Sequence, residues 1–168
     1  MIQIKRFLIL LVPIAIVVGM FLSSNPASAT FVPFVTTWKT NNPGTSNSTS
    51  VTIPTIGSGY NYDVDWDADG IFDQFGLTGS VTHDYGTAGT YFITIQGDFP
   101  RIYFNNGGDA QKLLSVDQWG DVAWESMGYA FAGCSNLKIL ATDAPILSNV
   151  TDMYSMFYGA SILNQDIS

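Results

Sequence analysis

The chain has 168 residues, of which 46% are hydrophobic and 12% charged, with six Lys and Arg against 14 Asp and Glu. That is too apolar for a disordered chain and long enough for one or two small hydrophobic cores. The formal charge of −8 argues against nucleic acid and anionic membrane surfaces as partners.

Residues 1–29 have the three parts of a secretory signal. Lys5 and Arg6 form a basic n-region, Phe7 to Leu22 is almost wholly apolar, and Ala27-Ser28-Ala29 supplies an Ala-x-Ala site, with cleavage predicted after Ala29. An uncleaved transmembrane anchor competes with this, since the apolar run approaches the roughly 20 residues that span a bilayer. Pro13 and Gly19 weaken it as a continuous helix, and membrane contact is expected only through this segment if it stays attached. The mature chain keeps four basic residues against 14 acidic ones, a balance of −10. With Cys134 alone, no intramolecular disulfide can form, which fits a bacterial product that is secreted or held at the cell surface.

In chain order, Thr30 to Lys39 is a predicted strand rich in Phe, Val and Trp. Asn41 to Ser50 is a polar loop, and Val51 to Ile56 a short strand that Pro54 confines to an edge or ends. Tyr60, Tyr62, Val64 and Trp66 alternate with polar residues over one β face. A turn at Asp67-Ala68-Asp69-Gly70 leads to a return segment around Ile71 to Phe75. Val81 to Tyr85 and Thr90 to Ile95 are two further strands joined by Gly86-Thr87-Ala88-Gly89. Short strands with Gly-rich turns predict an antiparallel sandwich-like module over residues 30–98.

From residue 99 the chain matches itself at an offset of about 26 residues, a period typical of solenoids. Met127 falls opposite Met153, Phe131 opposite Phe157, Gly133 opposite Gly159 and Leu137 opposite Leu163, and upstream Lys112 falls opposite Lys138. Met127, Ala130 and Phe131 share the i, i+3, i+4 spacing of a helical turn, which Gly133 ends. Leu137, Ile139 and Ala141 then alternate as a strand, so residues 99–168 predict a leucine-rich-repeat-like solenoid.

The blocks Asn149-Val150-Thr151-Asp152-Met153, Met156-Phe157 and Asn164-Gln165-Asp166-Ile167-Ser168 stand in that order. With Ala130-Phe131-Ala132-Gly133-Cys134-Ser135-Asn136-Leu137, they resemble the surface-protein repeat of BspA-like leucine-rich repeat proteins. Leu163 stands where that repeat usually carries an aromatic residue. The resemblance implies a surface protein with a binding face, often for adhesion, and no catalytic residues. Val64-Asp65-Trp66-Asp67, followed by Thr82 to Ile95, is similar to the polycystic-kidney-disease-type immunoglobulin-like domain. The expected fold is therefore mainly β with short helices: a small antiparallel immunoglobulin-like module, then the first repeats of a solenoid.

Asp65, Asp67, Asp69 and Asp73 occupy positions 1, 3, 5 and 9 of an EF-hand-type loop with Gly70 at position 6, a spacing that suits Ca²⁺. Position 12 is Gly76 rather than Glu, and no helices flank the loop. A hairpin turn with solvated aspartates fits the same residues; a bound cation here is expected to be weak and structural. No other cofactor is expected.

His83 is expected as a strand histidine with one structural hydrogen bond, and Cys134 as a small buried filler. Trp38, Tyr60, Trp66, Trp119, Trp124 and Tyr154 are a pool from which exposed aromatics could serve protein or glycan binding.

The expected function is non-enzymatic: an exported adhesion protein recognising a surface protein or glycan through its repeats. The alternative is an exported glycan- or protein-active hydrolase using those aspartates and His83, although acids crowded on one turn offer no cleft. Ser168 falls inside a repeat, so a fragment of a longer repeat protein, a truncated product or pairing through an open end is also expected.

Overall fold

A computed structural model describes residues 31–164. The predicted signal segment, its cleavage site and the Gln165-Asp166-Ile167-Ser168 block lie outside the described residues.

The protein is mainly β. Eight strands follow one another: β1 (Phe34–Lys39), β2 (Ser50–Ile53), β3 (Asn61–Asp65), β4 (Gln74–Leu77), β5 (Val81–Asp84), β6 (Thr90–Asp98), β7 (Leu113–Gln118) and β8 (Lys138–Ile139). Six form one sheet in the order β4-β3-β6-β1-β7-β8, and β2 pairs separately with β5. All pairings are antiparallel except β7 with β8, which makes the large sheet mixed.

Alternation on β1 explains its central place. Phe34, Thr36 and Trp38 face the core opposite Ile95, Ile93 and Tyr91 of β6, while Val35, Thr37 and Lys39 take the other face. On its other edge β1 meets β7 through a bulged register, Thr36 opposite Val116 and Thr37 opposite Ser115. The sheet therefore runs without a break across residue 98, and one core cluster includes Phe34, Trp38, Tyr62, Ile95, Trp124, Phe131 and Leu137.

Just before β1, Val32 N–H donates to Asp121 Oδ2 at 2.8 Å and Asp121 N–H returns a bond to the Val32 carbonyl at 2.7 Å. The large aromatics Phe34, Phe99, Trp119 and Trp124 pack mostly edge to face, Phe34 on Trp124 at 5.1 Å and 86°. The Trp124 indole nitrogen is the one buried side-chain polar atom without a hydrogen-bond partner among the described residues.

Successive coils stack beyond β7. Met127, Tyr129, Phe131 and Gly133 donate their N–H groups to the carbonyls of Asp152, Tyr154, Met156 and Tyr158, while Phe104 and Asn106 donate to Ala130 and Ala132. Phe131 lies on Phe157 with ring centroids 5.8 Å apart and planes 11° apart. Left-handed residues recur at the same places, Tyr129 then Ser155, and Asn106, Gly133 then Gly159. At Gly133 the close approach is what demands glycine: a Cβ there would lie 2.7 Å from Asn106 Cα.

The helical turn expected over residues 126–131 is instead a run of turns closed by Ala130 N–H to Met127 O and Ala132 N–H to Tyr129 O. Positive φ at Tyr129 breaks any helix there. The only helical element among the described residues is a 3-10 turn at Ala110–Lys112.

Candidate functional site

The aspartate-rich loop links β3 to β4, and its shape follows from its side chains. Asp65, buried at the end of β3, accepts N–H bonds from Asp67 (3.3 Å), Ala68 (2.7 Å) and Gly70 (3.0 Å). Those three donors wrap the chain around one carboxylate, as Asp does in Asx-type turns. Ala68 (φ 57°) and Gly70 (φ 90°) take the left-handed conformation this wrapping requires. Asp73 reaches back to accept from Trp66 N–H at 2.8 Å, and Asp69 caps Ile71 N–H at 2.8 Å.

Of the four candidate ligands, three converge. One oxygen each from Asp65, Asp67 and Asp73 lie within 4.8 Å of one another, whereas Asp69 is outside the group and turned to its own backbone cap. Incomplete hydration, together with the neighbouring Asp69, Asp65 and Asp73 charges, raises the Asp67 carboxyl above its ordinary range. Three carboxylate oxygens at this spacing suit one hard cation, which takes oxygen ligands.

An aromatic column supports the loop from below. His83 of β5 stacks on Trp66 at 4.7 Å and 11°, Tyr85 meets His83 edge-on at 4.5 Å, and Tyr85 stacks on Tyr91 at 3.6 Å. Tyr85 donates its hydroxyl to the Trp66 carbonyl at 2.7 Å, and Trp66 Nε1 donates to Gln74 Oε1 at 3.1 Å. Burial pushes the Tyr85 phenol well above its usual range. Burial also lowers the His83 pKa, against the opposing pull of Asp73, Asp84 and Asp67.

Among the described residues, the His83 ring makes these ring contacts and not the structural hydrogen bond expected of it. Tyr85 and Gln74, which fix Trp66, carry no sequence signal beyond lying beside β5 and on β4.

The aromatics considered for binding sort sharply. Trp38, Tyr60, Trp66, Trp119 and Trp124 are buried, and only Tyr154, 67% exposed, is on the surface, where Met153 and Tyr158 of the same coil join it. Cys134 is fully buried, and burial raises its thiol pKa far above the ordinary value.

The geometry defines a β-rich protein with a self-capped acidic loop and a stack of turns, in which the coil around Met153 to Tyr158 exposes apolar and aromatic side chains. In comparisons with known proteins, no family model, no curated protein and no solved structure matches the chain.

Proposed function

We propose that the protein is an exported, non-catalytic surface-binding protein that recognises a protein or glycan through the outer surface of its stacked coils. The observation that carries this is the backbone ladder from Met127–Gly133 to Asp152–Tyr158. It repeats one coil on the next while leaving Met153, Tyr154 and Tyr158 outward. Stacked units of this kind create extended binding surfaces. We read them as the first repeats of a leucine-rich-repeat-like solenoid of the BspA-like type. Residues ahead of them form an immunoglobulin-like module that orients the stack.

Export is supported by the n-region, apolar run and Ala-x-Ala order of residues 1–29. Among the described residues no helix is long and apolar enough to cross a membrane. A non-catalytic role is supported by how the candidate acids are used: Asp65, Asp69 and Asp73 each accept backbone N–H bonds, and His83 is packed between rings. Within this function, Asp65, Asp67 and Asp73 hold a weak structural Ca²⁺.

Purified full-length chain applied to a broad array of glycans and matrix proteins tests the function. Saturable binding that falls on Tyr154→Ala and Tyr158→Ala substitution is the expected result; an array on which nothing binds removes it. Recovery of the chain outside the cell with Thr30 as its first residue tests export.

A further inference from the structure

The outward face of the large sheet carries a groove whose chemistry differs from the rest of the protein. One rung crosses four strands, Phe92 on β6, Thr37 on β1, Ser115 on β7 and Lys138 on β8, each standing opposite the next in register. The two middle residues are small, and the two outer ones are large. With neighbouring strands about 4.8 Å apart, the walls stand about 14 Å from each other across three strand spacings, enough for one extended polypeptide. The groove encloses about 640 Å³, and Leu114, Leu140 and Ile162 add to its apolar lining. Phe92, Leu140 and Ile162 are each about half exposed, at 52%, 53% and 49%.

Charge sets the groove apart from the rest of the surface. After Ala29 the chain has only four cations, Lys39, Arg101, Lys112 and Lys138. Lys112 is buried, and both Lys39 and Lys138 line this one groove. Neither is in an ion pair among the described residues, where the single salt bridge is Lys112 with Asp109. The one acid in the lining, Asp117, is occupied: Thr37 donates its hydroxyl to it at 2.7 Å and Ser115 at 3.0 Å. A strongly acidic protein thus concentrates two of its three accessible positive charges against an aliphatic channel.

We propose that this groove binds an extended acidic peptide segment in which carboxylate residues alternate with aliphatic ones. The carboxylates pair with Lys39 and Lys138, and the aliphatic side chains lie against Phe92, Leu114 and Leu140. The aliphatic lining selects a peptide over a sugar chain, which would stack on flat rings, because Phe92 is the only ring in the groove. Complementary charge of this kind sets partner choice and association rate. The proposal goes beyond the surface-binding function above, because it seats a peptide partner on the sheet face, in a groove whose lining does not include Tyr154 or Tyr158 of the coils.

The test is fluorescence anisotropy of the full-length chain with a labelled heptapeptide alternating glutamate with valine or leucine, beside its glutamine counterpart. Expected are saturable binding of the acidic peptide, at least tenfold weaker binding of the neutral one, and weakening with added salt. Lys39→Glu with Lys138→Glu lowers affinity at least tenfold, and Phe92→Ala lowers it several-fold. Arg101→Glu, which changes net charge as much as either lysine reversal alone, leaves affinity within twofold. Equal binding of the two peptides, or no loss in the double lysine variant, overturns the proposal. So does a polyuronate oligosaccharide that binds through the lysines when the acidic peptide does not. Array binding through Tyr154 and Tyr158 should persist in the double lysine variant; a blank array removes the surface-binding function, whereas the groove stands or falls on the peptide titration alone.

Discussion

The Lys112 ammonium lies 2.9 Å from the carbonyl oxygen of Ser50, buried beneath the loop that connects β1 to β2. Asn47 O at 2.7 Å, Ser46 O at 3.1 Å and Ser46 Oγ at 2.6 Å are also within hydrogen-bond distance, so the three N–H bonds of the ammonium are shared among four acceptors. Asp109 stands 3.8 Å away and binds the N–H groups of Ser46 and Thr52. A polar loop with no core of its own is thereby fastened to the 3-10 turn ahead of β7. Burial lowers the Lys112 pKa, and Asp109 partly opposes this.

Lys112→Met removes the charge, takes the ammonium donor from three carbonyls and leaves the Asp109 carboxylate without its counter-charge, held only by Ser46 and Thr52 among the described residues. Breaking one side of a buried, hydrogen-bonded pair costs about 3–5 kcal/mol. Urea denaturation should show that loss with an unchanged slope.

Asp65 and Asp69 look alike in sequence and differ in consequence. Asp65→Ala strips the acceptor from three N–H groups, two of them within 3.0 Å, and should cost about 3 kcal/mol. Asp69→Ala exposes one N–H to water and should stay within about 0.5 kcal/mol. Adding Ca²⁺ to about ten times its dissociation constant should stabilise the wild type and Asp69→Ala by about 1.4 kcal/mol. Asp67→Ala should show no such gain, because it removes a converging oxygen. An absent thermal shift in the wild type would mean that the loop is held by its backbone caps alone.

Gly133 and Gly159 are one coil apart and share a left-handed backbone, with φ of 82° and 74°. A Cβ at Gly133 would strike the Asn106 backbone, whereas at Gly159 the nearest atoms are at least 3.5 Å away. Gly159→Ala should therefore cost only the conformational penalty, about 1–2 kcal/mol. Gly133→Ala adds a displaced coil and should exceed about 3 kcal/mol, measured by thermal unfolding of the pair side by side.

His83 gives the molecule a pH dependence of known sign. Its folded pKa is lowered from 6.5, chiefly by burial, so the unfolded chain takes up the proton first. Stability from this group is present above pH 6.5 and is lost as pH falls through that value toward the lower folded pKa. His83→Phe keeps a ring on Trp66 and should flatten the stability profile between about pH 7.5 and 5.5. A profile of unchanged slope in the variant would assign the dependence to other groups.

Much of the sheet was legible because one face is buried. Tyr62 and Val64 on β3, and Ile93 and Ile95 on β6, alternate as a half-buried surface must. The same logic could not place β7 beside β1, since their contact lies some 80 residues apart in sequence and leaves no local trace. The 26-residue match sets Lys112 opposite Lys138. In space, however, Lys138 sits opposite Ser115, 23 residues away, and the two lysines live in opposite environments, one buried and one exposed. Turns repeat every 25 to 26 residues, from Met127 to Asp152 and from Gly133 to Gly159, whereas the strand pair is offset by 23.

Three of the four aspartates converge as their spacing suggested, but the Asx capping by Asp69 was invisible without the backbone. Tyr85 and Gln74 hydrogen-bond to the buried Trp66, and no pattern announces those contacts.

The reciprocal pair between Val32 and Asp121 has a mechanical meaning. Val35 of β1 faces Gln118 of β7, so the start of one strand lies beside the end of the other. Tension applied there would open that ladder one bond at a time, as a zipper opens, instead of shearing all its bonds together. Val32 and Asp121 close the end where such peeling begins. Two hydrogen bonds thus stand as a clasp between a stretched chain and the seam on which the whole sheet depends.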